Sequence, residues 1–328
     1  MLRKEIYSLL LFSFCVLFTC CGSGTTDEEE RDDQGEVSVE TNYLPIADPY
    51  VMLYNNKYYA YGTGGTVEGE GFACFTSDDL KNWKREGQAL RADDSYGTTA
   101  FWAPEVYYIA SKQKFYMFYS AAEHICVATS TTPEGPFRQE VKKPIWDEKS
   151  IDTSLFIDDD GTPYLYFVRF TDGNVIWGAQ MTDDLMNIKT ETLTQCIKAE
   201  EPWELLQAQV AEGPSLLKKN GVYYLIYSAN HYENKGYGVG YATSSSPLGP
   251  WSKYSKNPLL QGDASTGLVG TGHGAPFQCK DGSWKYIFHA HWSASTIHPR
   301  TSYIKDFAIS DEGVASISGS VIKPRVLK

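Results

Sequence analysis

The chain has 328 residues, a formal net charge of −12, 42% hydrophobic residues and 14% aromatic residues. That length and apolar content suffice for a large core, and all-β folds of roughly 200–250 residues often form one domain. The folded part carries no basic cluster, which excludes nucleic acid as a partner. The 23 Tyr and 8 Trp suit strands and also suit the flat apolar face of a sugar ring.

The first 21 residues read as an export signal. Arg3 and Lys4 precede an apolar run from Ile6 to Phe18, too short to span a bilayer comfortably. The run ends in Leu17-Phe18-Thr19-Cys20-Cys21-Gly22, which resembles a bacterial lipoprotein cleavage site. Cys20 or Cys21 would carry the lipid, so the expectation is an exported outer-membrane lipoprotein at the cell surface or in the periplasm. Residues 22–42 then read as an acidic, disordered tether, because residues 27–40 hold eight acids against Arg31 alone. Cys74, Cys126, Cys196 and Cys279 are scattered singly and read as small buried hydrophobes.

Residues 43–328 read as one all-β domain organised by an internal repeat. Five copies of a hairpin recur: "DPYVMLYNNKYYAYGT" from Asp48, "PEVYYIASKQKFYMFYS" from Pro104, "DTSLFIDDDGTPYLYFVRF" from Asp152, "EGPSLLKKNGVYYLIYSAN" from Glu212 and "GAPFQCKDGSWKYIFHAH" from Gly274. Asp160-Gly161, Asn220-Gly221 and Asp281-Gly282 are strong hairpin turns. A third strand and second turn follow each hairpin. The spacing predicts a five-bladed β-propeller; a β-sandwich would not explain five copies of one pattern.

The first strand of each blade lines the central channel. Aligning the copies sets Asp48, Glu105, Asp152 and Glu212 at one repeat-equivalent position, with His273 just ahead of the fifth strand. Converging carboxylates are costly unless they bind a cation or move protons. Glycoside hydrolysis uses such a set: one carboxylic acid protonates the leaving oxygen and one carboxylate activates water.

With "IADPY" around Asp48, "SIDTSLFIDDDGTPYL" around Asp152 and "VAEGPSLLKKNGVYYLIYSA" around Glu212, the chain resembles glycoside hydrolase family 43. "FWAPEV" and "GTGHGAPF" also match, and the resemblance covers about residues 45–325. It departs at Thr153, where Pro often follows the aspartate. The resemblance implies Asp48 as general base, Glu212 as general acid and Asp152 as modulator of the acid, with inversion at the anomeric carbon. It implies Phe101 and Trp102 as sugar-stacking residues. His273 would lie on the channel axis, beside a hydrated Ca2+, with no cofactor needed for the chemistry. Arg300 would hold substrate near the acid, and its charge would keep Asp152 ionised.

Other candidates rest on weaker signals. Glu105 could bind substrate or cap its blade. His289 and His291 share one face of a strand and are expected in hydrogen-bonded packing, with His291 near the pocket. His231 lies in a loop that could touch sugar. The expected activity is exo-acting removal of arabinofuranosyl or xylosyl residues from plant cell-wall polysaccharide or oligosaccharide, by a monomer that meets the membrane through its lipid alone. The alternatives are a galactofuranosidase, galactanase or arabinanase of the same family, or a surface propeller that binds glycan without cleaving it.

Overall fold

A computed structural model describes residues 42–67, 69–262 and 266–327. The export segment, Cys20, Cys21 and the tether up to residue 41 lie outside the described residues, and Asn42, read as the end of the tether, instead accepts a hydrogen bond from Val326.

The strands form five sheets; four are each built from one contiguous stretch of chain, and the first also takes in a short strand from the C-terminal end. Blade I holds Ala47–Tyr54, Lys57–Thr63, Gly71–Ser77 and Asn82–Arg91. Blade II holds Trp102–Ile109, Lys114–Ala121 and His124–Ser130, with Arg138 bridging Thr129 where a fourth strand would lie. Blade III holds Ser150–Ile157, Pro163–Phe170, Asn174–Gln180 and Thr194–Ile197. Blade IV holds Ala211–Lys219, Val222–Ala229, Gly238–Ser244 and two short outer pieces, Ser252–Lys253 and Leu260–Gln261. Blade V holds Gly272–Gln278, Trp284–Ala290, Thr301–Ile309 and Ala315–Ile322. The only helical elements among the described residues are four 3-10 turns, such as Ala92–Asp94.

There is no single core. Five apolar clusters fill the five clefts between neighbouring blades. The second strand of each blade is therefore buried on both faces, which is why it reads as an unbroken aromatic and β-branched run rather than an alternation. Period two assigns its residues to opposite clefts. In blade IV, Tyr223, Leu225 and Tyr227 pack toward blade III, while Tyr224 and Ile226 pack toward blade V. Trp83 and Phe137 are fully buried, and Trp251 packs at the edge of a cluster. Cys74, Cys126 and Cys279 are buried free thiols, and Cys196 is half-buried.

All five inner strands share one irregularity. The pairing with the second strand slips after Ala47, Trp102, Ile151, Glu212 and Gly272. The next residue in each case has positive φ: Asp48 at 48°, Ala103 at 46°, Asp152 at 59°, Gly213 at 55° and His273 at 40°. This is a β-bulge, repeated five times around the channel. It corrects the alignment read from sequence. Asp48, Asp152 and His273 are equivalent, but their partners in blades II and IV are Ala103 and Gly213. Glu212 stands one residue before its bulge and Glu105 two residues after.

The ring closes through apolar contacts between blades V and I, through Ser302 Oγ donating to the Ile46 carbonyl at 2.7 Å, and through the C-terminal tail. Arg325–Val326 runs parallel to the outer strand of blade I, and the N–H groups of Arg325, Val326 and Leu327 donate to Lys81, Asn42 and Trp83. Truncation after Lys323 removes these bonds while leaving every inner strand whole. The expected result is a Tm lowered by roughly 3–8 °C in calorimetry; an unchanged Tm would show that the tail is not part of the closure.

Candidate active site

The heads of the inner strands open into a cavity of about 300 Å3. The bulge residues Asp48, Asp152 and His273 form its floor, and the pre-bulge residues Trp102, Ile151 and Glu212 form one wall. His231, Tyr232 and Arg300, from loops of blades IV and V, complete the opposite side. A β-bulge re-aims a side chain without ending the strand, so three separate blades deliver polar groups to one point.

Asp48 is 7% exposed and surrounded by cationic or polar nitrogens. Arg300 grips it with two bonds, Nη1 to Oδ1 at 2.8 Å and Nη2 to Oδ2 at 3.3 Å. His273 Nδ1 lies 3.4 Å and His289 Nδ1 3.2 Å from Oδ1. Burial alone would raise the carboxyl pKa, but the charges of Arg300 and then His273 outweigh it and hold the group well below the usual carboxylate range. Asp48 is thus held as an ionised carboxylate at neutral pH although it is nearly buried.

Asp152, 5% exposed, meets the opposite balance. Burial, then the charges of Glu212 and Asp48, raise its pKa, against the pull of His273 and of the Gly213 N–H, which donates to Oδ2 at 3.3 Å. His273 Nδ1 is 3.8 Å from the same oxygen. Burial lowers the His273 pKa, yet the carboxylates of Asp152, Asp48 and Glu212 reverse the shift and favour imidazolium.

Glu212 is held by two donors that the sequence did not single out. Tyr237 Oη lies 2.7 Å from Oε1, and Asn174 Nδ2 donates to Oε2 at 3.0 Å. Tyr237 in turn stacks on His289, with ring centroids 5.7 Å apart. Tyr237 sits in a strand-like aromatic run and Asn174 after a Gly turn, and neither context separates a site residue from a packing residue. Tyr232 was also missed; its ring lies under the Arg300 guanidinium at 4.5 Å.

Four expectations need correction. Arg300 pairs with Asp48, so it supports that carboxylate rather than Asp152. Phe101 is 4% exposed and packs against Phe72 and Tyr119 in the cleft between blades I and II, away from the cavity; only its neighbour Trp102 reaches the wall. His291 Nε2 donates to the Tyr232 carbonyl at 2.8 Å, the hydrogen-bonded packing expected of it, but it does not itself line the cavity. Glu105 lies one layer below the floor, hydrogen-bonded by the Tyr107 hydroxyl, lining a small void with Asp152, Thr153 and His273. His231 does line the cavity and stacks on Tyr232 at 5.0 Å.

Asp152, Glu212 and His273 bring ligand atoms within 4.8 Å of one another. Two carboxylates and one imidazole fall short of the six to eight oxygens that calcium takes, and the guanidinium of Arg300 already neutralises Asp48. The same groups are complete as a proton-handling set: one ionised carboxylate, one with a raised pKa, and one held by neutral donors.

Comparison with known proteins agrees with this geometry. The model of the family described as glycosyl hydrolases family 43 matches residues 44–314. The chain is 30% identical over 270 residues to a β-D-galactofuranosidase of Aspergillus niger, covering 76% of this chain and 75% of that one. It is 28% identical over 301 residues to an arabinoxylan arabinofuranohydrolase of Bacillus subtilis, covering 76% of this chain and 57% of that longer protein. Among solved structures it is similar to an endo-1,4-β-xylanase from Bacteroides thetaiotaomicron, at 88% identity and a TM-score of 0.88, covering 89% of this chain and 100% of that one. A thermostable family-43 glycoside hydrolase matches at 34% identity and a TM-score of 0.79, covering 87% and 97%.

The half-buried Glu105, which lines the void beside Asp152 and His273, makes a prediction independent of turnover. Burial raises its pKa to about 8 despite the Tyr107 hydrogen bond, whereas an unfolded Glu titrates near 4.3. Below about pH 4 both states hold the proton; from there to about 8 only the unfolded state releases it, so stability falls as pH rises. Glu105→Gln keeps an acceptor for Tyr107 and removes the titration. Between about pH 5 and pH 8 its Tm should fall less than that of the wild type; parallel Tm curves would refute the burial argument.

Proposed function

The chain belongs to glycosyl hydrolase family 43, and on that premise we propose that it is an inverting glycosidase that removes terminal pentosyl residues from xylan- or arabinoxylan-type glycans. The observation that carries this reading is the pair of unlike carboxyls in one cavity. Asp48 is locked in its ionised form, and Glu212 is steered by Tyr237 and Asn174.

In this mechanism Asp48 is the general base. Arg300 and His273 keep it ionised and aimed, so it takes a proton from the attacking water. Glu212 is the general acid and gives its proton to the leaving oxygen. Asp152 lies beside it as a second negative centre, and like charges in a dry site favour keeping a proton on the pair. His273, fixed between Asp48 and Asp152, carries the compensating positive charge. Trp102 offers a flat face to the sugar, with His231 and Tyr232 at the rim. The chemistry needs no cofactor. A calcium ion near His273 would have to draw most of its ligands from water, and no step is routed through one.

The small cavity favours exo action, because about 300 Å3 is at the low end for ligand pockets. Internal cleavage is the second reading, favoured by the name of the solved structure at 88% identity, an endo-1,4-β-xylanase. Galactofuranoside is a further candidate from the named activity of the Aspergillus relative. A panel of aryl α-L-arabinofuranoside, β-D-xyloside and β-D-galactofuranoside, run beside xylan and arabinoxylan, separates these. Monosaccharide alone supports exo action; a ladder of oligosaccharides from polymer would replace it with the endo reading. Glu212→Gln and Asp48→Asn should each lower kcat at least a thousandfold on such substrates while keeping the wild-type Tm within a few degrees. The first-formed sugar, followed by NMR, should have the inverted anomeric configuration. Retention, or either variant turning over at near wild-type rate, would overturn the assignment.

The sequence also supports export. The basic start, the Ile6–Phe18 apolar run and the Cys20-Cys21 pair have the order of a lipoprotein signal, which would hold the enzyme at the outer membrane as a monomer. Labelled fatty acid should enter the full chain in bacterial cells and be lost when both cysteines are changed to Ser; label retained without them would exclude lipidation there.

A further inference from the structure

The five bulges share a second feature. On each second strand one residue pairs with the pre-bulge position: Thr63, Ser120, Val168, Ser228 and His289 in blades I to V. In four blades its side chain accepts the bulge N–H of the following blade. Thr63 Oγ1 takes the Ala103 N–H at 2.9 Å, and Ser120 Oγ takes that of Asp152 at 3.0 Å. Ser228 Oγ takes that of His273 at 2.7 Å, and His289 Nδ1 that of Asp48 at 3.1 Å. Each inner strand is thereby sewn to the blade before it.

Blade III breaks the pattern. Val168 is fully buried in one apolar cluster with Ile151 and Ala211 and has no polar atom to offer. The N–H at the fifth position, that of Gly213, donates to Asp152 Oδ2 at 3.3 Å instead. A buried N–H must find a partner, so the missing acceptor in blade III is what sends this one to a carboxylate. We infer that Val168 is a positioning residue of the active site: by withholding an acceptor it leaves the Gly213 N–H to Asp152 and so fixes that carboxylate against the acid.

The chain geometry gives this bond its leverage. Gly213 follows Glu212 directly, so a single hydrogen bond ties the backbone carrying the acid to the carboxylate of the neighbouring blade. Gly is also required there. Besides the φ of 55°, a Cβ would lie 2.9 Å from the His273 ring. A hydroxyl at position 168 would restore the blade-to-blade stitch of the other four sites. Asp152 would lose its backbone donor and keep His273 as its main partner, turning away from Glu212.

The inference rests on Glu212 being the acid, and the test separates the two. Val168→Thr and Val168→Ser supply the hydroxyl; Val168→Ala removes volume without adding an acceptor. Rates are compared for phenyl and dinitrophenyl glycosides of the sugar selected by the panel, because only the poor phenolic leaving group needs a proton from the acid. The expected result is about a tenfold loss of kcat on the phenyl glycoside in the Thr and Ser variants, with the dinitrophenyl rate held within about twofold. The Ala variant should keep the wild-type ratio of the two rates while losing thermal stability. A purely structural role for Val168 would do the reverse, sparing the near-isosteric Thr variant and hurting Ala most, and that order overturns the inference. Glu212→Gln is the control: if it slows both substrates equally, the acid assignment fails. If it is selective and the Thr variant is not, only the role of Val168 fails. A crystal structure of Val168→Thr gives a readout without turnover, with the Gly213 N–H expected on the new hydroxyl; the bond to Asp152 left intact would refute it.

Discussion

One extra residue at the head of every inner strand is the constraint on which the site depends. A residue held at positive φ costs of order 1–3 kcal/mol when it is not glycine, and four of the five bulge residues are not. Such strain persists only where the surroundings fix it. Here the fixing comes from the bulge N–H groups, which leave their own sheet and bond to the neighbouring blade. The strained backbone and the blade-to-blade stitching are thus the same feature. It leaves Asp48, Asp152 and His273 aimed at one point before any substrate arrives, and that is the preorganisation an acid–base site needs.

Electrostatic balance follows from that convergence. Asp48, Asp152 and Glu212 are all at most 9% exposed, and three buried negative charges would not be tolerated alone. Arg300 and an imidazolium at His273 supply two positive charges, so the group is neutral when one carboxyl keeps a proton. That proton cannot sit on Asp48, whose partners hold it ionised. On the other side of His273, burial and then the charges of Glu212 and Asp48 raise the pKa of Asp152, so a proton is retained more easily there than on Asp48. Which carboxyl Arg300 reaches therefore decides which one is held ionised. An isolated buried ion pair is weak support for a fold; here it sets where the remaining proton lies.

Much of this was legible in the sequence, and the failures have a physical pattern. The five hairpins were readable because turn chemistry at Asp160-Gly161, Asn220-Gly221 and Asp281-Gly282 is local. The chain-order motifs around Asp48, Asp152 and Glu212 brought out residues that do meet in one cavity. The alignment of Glu105 and Glu212 with Asp48 failed because the bulge position recurs in every blade while its residue type does not: Ala103 and Gly213 stand there in blades II and IV, and the nearest acids lie one or two residues away. Phe101 and Trp102 differ in the same way. Adjacent strand residues face opposite sides, so one enters the cleft between blades and the other the cavity. Tyr237, Asn174 and Tyr232 were invisible because their partners lie 25 to 68 residues away in sequence, on elements whose relative placement only the closed ring defines. The tail strand Arg325–Val326 gave no signal for the same reason.

The cavity is asymmetric although the ring that builds it is nearly regular. The pre-bulge residues of blades II, III and IV are Trp102, Ile151 and Glu212, large side chains that raise a wall. In blades I and V the equivalents are Ala47 and Gly272. A Cβ at Gly272 would lie 2.3 Å from the Tyr237 ring, so a side chain there would displace the tyrosine that bonds Glu212. Blade V thus has no wall residue, and a second layer of side chains, Tyr237 on His289, reaches and holds Glu212. The vacated side is covered by His231, Tyr232 and Arg300, which stand on loops or at loop edges. Asp48, Asp152, His273 and Glu212 are carried by inner strands, while His231, Tyr232 and Arg300 stand on loops, the part of a fold that varies most readily in length and sequence. The two are nonetheless joined at one point: Arg300 stands on the same loop side of the cavity and pairs with Asp48, so a change in that loop also bears on the carboxylate it holds ionised.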